Sequence, residues 1–358
     1  MASELSEIPS HNHGSKPKTE RKISSALQRR QLGKSGTKDK SGVKMLLETF
    51  AVISVVIAVL YVLSFFLSPK KIQLTGGHVL ITGGSSGIGK AVAIEAAKQG
   101  ANITLLARNP VSDRNVMLLL CIPVDVSKDY PAVDNAVQEA QDKLGPIDML
   151  VNSAGISISA KFEDIPIEDF KRLMDVNYLG SVYATRAVVK SMKKQNRGRI
   201  VFVSSQAGQV GLFGFTAYSA SKFALLGLAE SLQMEVKAYN IYVTLSFPPD
   251  TDTPGLAMEN KSKPRETRLI SETAGLVQPE VVAKAMVEDS KSGKFFSYVG
   301  LDGYLVAMLT AGMSPVHSIM EGLQQVMLMS IFRLVSFFYL DSFDRIVKKC
   351  KIEDEKNK

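Results

Sequence analysis

The chain has 358 residues and 45% hydrophobic content, enough for one large α/β domain with appendages and too apolar for global disorder. Its net charge of +8 does not mark a nucleic-acid groove: ten of the 43 Lys and Arg residues fall within positions 1–44, leaving 33 basic against 31 acidic side chains in the rest. Cys121 and Cys350, far apart in sequence, exclude a disulfide framework, and neither they nor the four histidines carry metal-ligand spacing.

Residues 1–44 are rich in Ser, Lys and Gly and cannot bury enough apolar surface to offset the entropy of ordering, which predicts a disordered basic tail. Residues 45–68 then read as a membrane anchor. Thr49 to Leu67 is nineteen residues without a charge, about 28 Å of helix. No small-residue cleavage site follows, and Ser68-Pro69-Lys70-Lys71 closes the run, which argues against a cleaved leader.

From Gly77 the pattern becomes alternating strands and helices. His78–Thr82, Asn102–Ala107, Met117–Pro123, Asp148–Asn152, Arg199–Ser204 and Ile241–Ser246 read as short buried strands. Gly87–Gln99 reads as the first covering helix, and Glu163–Arg172 as a loop leading into another. Apolar strands alternating with helices predict a doubly wound parallel sheet of Rossmann type over residues 75–300. One link is too short for the rule. The nine residues Arg108 to Val116 join strands two and three, where a parallel crossover usually takes at least about ten to twelve with its helix. Either that face of the sheet is partly bare or the sequence lacks a segment.

Beyond Gly300, over residues 301–346, two apolar stretches follow, Tyr304–Met313 and Val326–Leu340, separated by Ser314-Pro315. Fifteen helical residues reach only about 22 Å, short for a span. They read either as helices completing the core or a homo-oligomer interface, or as a pair dipping into one leaflet of a bilayer. Residues 347–358 read as a charged tail.

The chemistry begins at Thr82-Gly83-Gly84-Ser85-Ser86-Gly87-Ile88-Gly89, between a strand and a helix. Gly83 permits the tight turn, Gly87 the approach of backbone to a pyrophosphate, and Gly89 close helix–strand packing, with the helix N-terminus facing the phosphates. Ser85, Ser86 and Ile88 share that turn. Arg108, at the end of strand two, sits where an enzyme reading an unphosphorylated ribose places an acid, which favours NADPH. Asp125 either accepts from the adenine amino group or caps a helix. Tyr218 and Lys222 lie one helical turn apart on one face. A phenol with its usual pKa near 10 is a poor acid at neutral pH; an adjacent ammonium and an oxidised nicotinamide favour its ionised form. Ser205 polarises the same substrate oxygen, with Ser204 as its rival because strand register is open. Asn177, in a predicted helix, either holds water near Lys222 or packs as a satisfied amide.

In this order, the glycine turn, Asn152-Ser153-Ala154-Gly155, Asn177, the serine, Tyr218 and Lys222 resemble the short-chain dehydrogenase/reductase family across about residues 75–300. SSQAGQVGLFGFTAYSASKFALLGLAESLQMEV (204–236), SFPPDTDTPG (246–255) and EGLQQVMLM (321–329) resemble its sphingoid-ketone reductases. Most relatives carry Pro-Gly where Pro248-Pro249-Asp250-Thr251 stands here, a departure shared by that branch. The resemblance implies cofactor contacts from Asn152, Ala154, Gly155, Pro249 and Thr251 or Thr253, and reduction by NADPH of the C3 ketone of 3-oxosphinganine, a long-chain sphingoid ketone, at the endoplasmic reticulum. The alternatives are a membrane-bound steroid or retinoid reductase of the same family, or a non-catalytic scaffold. Such reductases usually begin near where Met45 stands and carry a crossover helix after Arg108. Their catalytic domain faces the cytosol, whereas the six basic residues within twenty positions before the apolar run would place it in the lumen.

Overall fold

The computed structural model describes residues 18–108, 119–272 and 275–356, and the chain divides after Leu63 into two units. The helix α1 (Lys18–Leu67) includes much of the segment expected to be disordered. That expectation is corrected from Lys18 onward, a stretch whose Ala, Leu, Gln, Arg and Lys residues are good helix formers. Within α1, Gly42–Phe66 has a mean hydropathy of 2.6 and is long and apolar enough to cross a membrane.

The second unit is built on a seven-stranded sheet in the order β3-β2-β1-β4-β5-β6-β7, every pairing parallel. The strands are β1 (His78–Thr82), β2 (Asn102–Ala107), β3 (Leu119–Pro123), β4 (Met149–Asn152), β5 (Gly198–Val203), β6 (Ile241–Ser246) and β7 (Phe296–Ser297). Six of them answer the predicted strands; the seventh is two residues long and has no pattern to read. Successive strand residues face opposite sides. Val79, Ile81, Ile103, Leu105 and Val151 pack under α2 (Gly87–Lys98) and α9 (Pro279–Lys291). Leu80, Leu106, Leu150, Ile200 and Phe202 pack under α3 (Tyr130–Leu144), α5 (Gly180–Gln195) and α6 (Thr216–Val236). This is the doubly wound architecture expected. The short link after Arg108 falls on residues 109–118, outside the described residues; β3 nonetheless pairs with β2, from Ile103 opposite Leu119 to Ala107 opposite Pro123. On this edge strand Leu119, Leu120 and Cys121 stay half-buried, unlike the fully buried residues of β1 and β4.

Between β4 and α5 lie α4 (Ile167–Leu173) and a π-helical turn, Met174–Leu179, after a short 3₁₀ turn at Phe162–Asp164. Between β6 and α9 lie α7 (Pro254–Ser262) and α8 (Arg265–Ser271).

The amino ends of the strands are closed by paired polar groups. Arg199 is 1% exposed. Its guanidinium donates to the carbonyls of Ser290 (2.8 Å), Gly198 (2.9 Å), Lys70 (2.7 Å) and Lys291 (3.2 Å), and its Cζ lies 4.9 Å from the Tyr242 ring centroid. Burial lowers its pKa to about 10, so it stays charged at neutral pH. Beside it, Asp148 accepts from His78 N at 2.9 Å and from Arg197. The two His78 ring nitrogens bond Gly145 O at 2.7 Å and Thr104 Oγ1 at 2.8 Å.

The C-terminal region departs from the expected pair of short helices and charged tail. After α10 (Gly300–Leu309), one helix, α11, runs from Ile319 to Lys356. Ser314-Pro315 breaks the chain where expected, but no proline interrupts it afterwards. Ion pairs one turn apart, such as Lys349–Glu353 at 4.0 Å and Lys351–Glu355 at 3.7 Å, carry the helix through the charged end. The helix is long and apolar enough to cross a membrane.

Candidate active site

The carboxyl ends of the strands open onto a cleft of about 1040 Å³, the place where doubly wound sheets bind ligands. Its first wall is the turn between β1 and α2. Gly83 adopts φ +68°, and a Cβ there would lie 2.6 Å from Ala154 Cα; a Cβ on Gly89 would lie 2.6 Å from Gly83 O. Neither position admits a side chain, so the turn, α2 and the loop after β4 stay in close contact. Thr82 Oγ1 fastens that loop by accepting from Ser153 N and Ala154 N, each at 3.1 Å. Ser86 makes no side-chain cap on α2, so the first N–H groups of that helix remain for an anion. A pyrophosphate fits this cradle.

Gly83, Ser85, Ser86, Gly87, Ile88 and Gly89 line the cleft; Arg108, Asp125, Ala154, Gly155, Pro249, Thr251 and Thr253 continue the wall. Asp125 does not cap a helix. Its Oδ1 accepts from Ser127 N (3.1 Å) and Ser127 Oγ (2.7 Å), while Asp129 caps α3 through Ala132 N. Burial works to raise the Asp125 carboxyl, but the Ser127 bonds and then the charges of Arg108 and Lys128 hold it below the usual range. Thr253 caps α7 by accepting from Leu256 N at 3.2 Å, and Thr251 Oγ1 donates to Pro249 O at 2.8 Å.

Two expected residues stand behind the cleft and do not line it. Asn152 is 2% exposed and donates to Thr185 Oγ1 at 3.1 Å. Asn177, in the π-helical turn, accepts from Ile156 N at 2.8 Å and donates to Ile156 O at 3.0 Å and Ser221 Oγ at 2.9 Å. Its amide is engaged with protein on both atoms, as in the packing alternative, and it ties the loop after β4 to α6.

Tyr218 and Lys222 lie in the first turns of α6, with Lys222 Nζ 5.8 Å from the phenol ring centroid. Lys222 Nζ donates to Val203 O at 2.8 Å, and burial lowers its pKa to about 8. The Tyr218 phenol moves the other way. Burial raises it, as do the Glu259 and Asp250 charges, against a hydrogen bond from Ser205 that favours ionisation. The sequence leads one to expect Lys222 to bring the phenol down; with its ammonium bound to a carbonyl, burial prevails. Ser204 Oγ donates to Lys222 O at 3.1 Å and so faces α6, whereas Ser205 bonds the Tyr218 phenol and accepts from Ala207 N at 3.2 Å.

Other residues of the cleft escape sequence reasoning. Gln209 Nε2 donates to Thr310 Oγ1 at 2.9 Å, fastening the loop after Ser205 to the end of α10. Glu259, 8% exposed on α7, lines the cleft and lies 2.8 Å from Lys263 Nζ. Met329, Arg333, Ser336, Leu340 and Phe343 of α11 complete a largely apolar wall. Only these last carried a readable signal, a spacing of three and four that marks one helical face.

Residues 77–264 match the short chain dehydrogenase family. The chain is 57% identical over 326 residues to a 3-ketodihydrosphingosine reductase of Bos taurus, covering 87% of this chain and 98% of that protein. It is also 57% identical over 328 residues to a 3-dehydrosphinganine reductase of Danio rerio, covering 88% of this chain and 98% of that protein. The alignment with the bovine protein is longer than the share of this chain it covers, so that protein carries residues this one lacks. Among solved structures, ElxO with NADP bound superposes with a TM-score of 0.56 at 26% identity, over 62% of this chain and 96% of that one. With a glycine cradle, a Tyr–Lys pair on α6 and these relatives, the chain belongs to the short-chain dehydrogenase family and is an oxidoreductase that uses a nicotinamide cofactor.

Proposed function

We propose that the chain reduces the C3 ketone of 3-oxosphinganine to sphinganine with NADPH, at the endoplasmic reticulum membrane with its catalytic domain on the cytosolic side. The observation that carries this reading is 57% identity to a 3-ketodihydrosphingosine reductase along nearly that protein's whole length, joined to a cleft whose far wall is apolar enough for a long alkyl chain.

The cradle of Gly83, Ser85, Ser86, Gly87, Ile88 and Gly89 holds the pyrophosphate, Arg108 the 2′-phosphate, Asp125 the adenine side, and Ala154, Gly155, Pro249, Thr251 and Thr253 the nicotinamide end. Bound there, the reduced nicotinamide supplies a hydride for the ketone carbon. Tyr218 donates its phenolic proton to the ketone oxygen, and Ser205 directs that oxygen and the phenol by hydrogen bonding. Lys222, cationic below about pH 8, favours the phenolate left after transfer. Asn152 and Asn177 act from behind by fixing the loop after β4. Two helices long and apolar enough to cross a membrane, α1 and α11, support a site on the bilayer that holds the substrate.

The test is reduction by membranes expressing the full chain, with 3-oxosphinganine, retinal and a ketosteroid compared under NADPH and under NADH. The expected result is preferential turnover of 3-oxosphinganine with NADPH. Preferential turnover of retinal or the steroid would reassign the substrate, and glycosylation-site mapping on both sides of α1 decides which face of the membrane the domain occupies.

A further inference from the structure

Resting on the substrate assigned above, we infer that Glu259, aided by Asp250, recognises the ammonium group that 3-oxosphinganine carries on C2, next to the ketone being reduced, and so makes this reductase selective for free amino ketones.

The wall beside Tyr218 has an excess of acceptors. Phe215 packs against the Tyr218 ring with centroids 5.4 Å apart, and Lys263 Nζ lies 5.8 Å from the Phe215 ring centroid. That lysine, only 2% exposed at its side chain, is shared by two carboxylates, Glu259 Oε1 at 2.8 Å and Asp250 Oδ2 at 3.2 Å. The two carboxylates line the cleft and the lysine does not. Formally, one cation behind the wall faces two anions within it. Elsewhere in the lining of the same cleft, Gln209 is 7% exposed and its Oε1 has no protein partner, and the hydroxyl of Ser157 is likewise unpartnered.

Buried acceptors without partners are uncommon in folded proteins and ask for a donor. The head of 3-oxosphinganine offers an ammonium on C2 and a hydroxyl on C1, both donors. The ammonium sits on the carbon next to the carbonyl that Tyr218 must reach, so a carboxylate within the electrostatic reach of that phenol is well placed to receive it. Glu259 is the carboxylate whose charge acts most on Tyr218. A charged hydrogen bond formed away from water is among the stronger polar contacts. Recognition of this kind also rejects the N-acylated analogue, because acylation removes the positive charge and leaves the two carboxylates with the one lysine they share.

The experiment compares kcat/KM for 3-oxosphinganine, its N-acetyl derivative and the des-amino ketone, using full-chain enzyme in detergent with NADPH. Wild-type enzyme is expected to prefer the free amine by about 10- to 100-fold. In Glu259→Gln the ratio of amine to des-amino rates falls toward one. Because that variant leaves Lys263 with Asp250 alone, the paired variant E259Q/K263M, which keeps the wild-type excess of one negative charge on Asp250, is measured beside it with its melting temperature. Equal wild-type rates on the amine and its uncharged analogues overturn the inference while leaving the proposed reductase intact. So does full discrimination retained by a folded variant. Failure of wild-type enzyme to reduce 3-oxosphinganine at all, while it reduces another ketone, sinks the substrate assignment and this inference with it.

Discussion

At the amino end of the strands, Arg199 gives its guanidinium hydrogens to four backbone carbonyls, and His78, Asp148 and Arg197 satisfy one another. At the carboxyl end, Gln209 Oε1 and Ser157 Oγ have no partner, and burial pushes Tyr218 up and Lys222 down. Both ends bury polar groups, but the charged ones at the first are spent on fixed neighbours, while the second holds acceptors open to the cleft. The contrast teaches where to look for stability and where for chemistry: charge satisfied by carbonyls holds the fold together, and charge left in a perturbed state serves a ligand.

Mutation separates the two ends. Removing the proton donor, Tyr218→Phe, should lower kcat by about 10²- to 10⁴-fold and leave the melting temperature near that of the wild type, as read by steady-state kinetics beside a thermal scan. A stable but fully active variant would break the assignment of chemistry to that end. Arg199→Met should do the reverse, costing about 3 kcal/mol of stability through the orphaned carbonyls while the folded fraction keeps its kcat; denaturant titration measures it. Arg108→Ala should raise the KM for NADPH about tenfold and barely move that for NADH. The reduction rate should fall as pH rises through about 8, where Lys222 loses its proton, and Lys222→Met should abolish that limb. The smallest effect belongs to Glu288, whose carboxyl is drawn down to about 2 by hydrogen bonds from Lys291 and Lys71. Its folded pKa is depressed, so its contribution is complete above the ordinary glutamate value and fades as pH falls towards 2. Melting curves of Glu288→Gln and wild type should therefore converge in acid.

Much of this contrast was written in residue patterns. The glycine turn, β1, β2 and β6, and the Tyr218–Lys222 pair are local features, set by conformational freedom, alternation or helical spacing, and sequence carries them directly. Asn177 was legible as important but not in kind, because its partners Ile156 and Ser221 meet only through tertiary folding. The same holds for Glu259 and Gln209: nothing near them in the chain announces that α7 and the turn after Ser205 will face one cavity. The length of α11 was missed because periodicity stops where its charged end begins, and only the ion pairs across successive turns continue it.

That long helix has a practical corollary. Met329, Ser336, Leu340 and Phe343 stand on a single stripe facing the cavity, while Val326, Met327, Leu334 and Phe338 point outward and are exposed. A truncated protein ending ahead of Ile319 would shed that greasy exterior, and with it one side of the chamber. Inhibitors selected against so trimmed a version would be fitted to a groove that the intact enzyme does not possess.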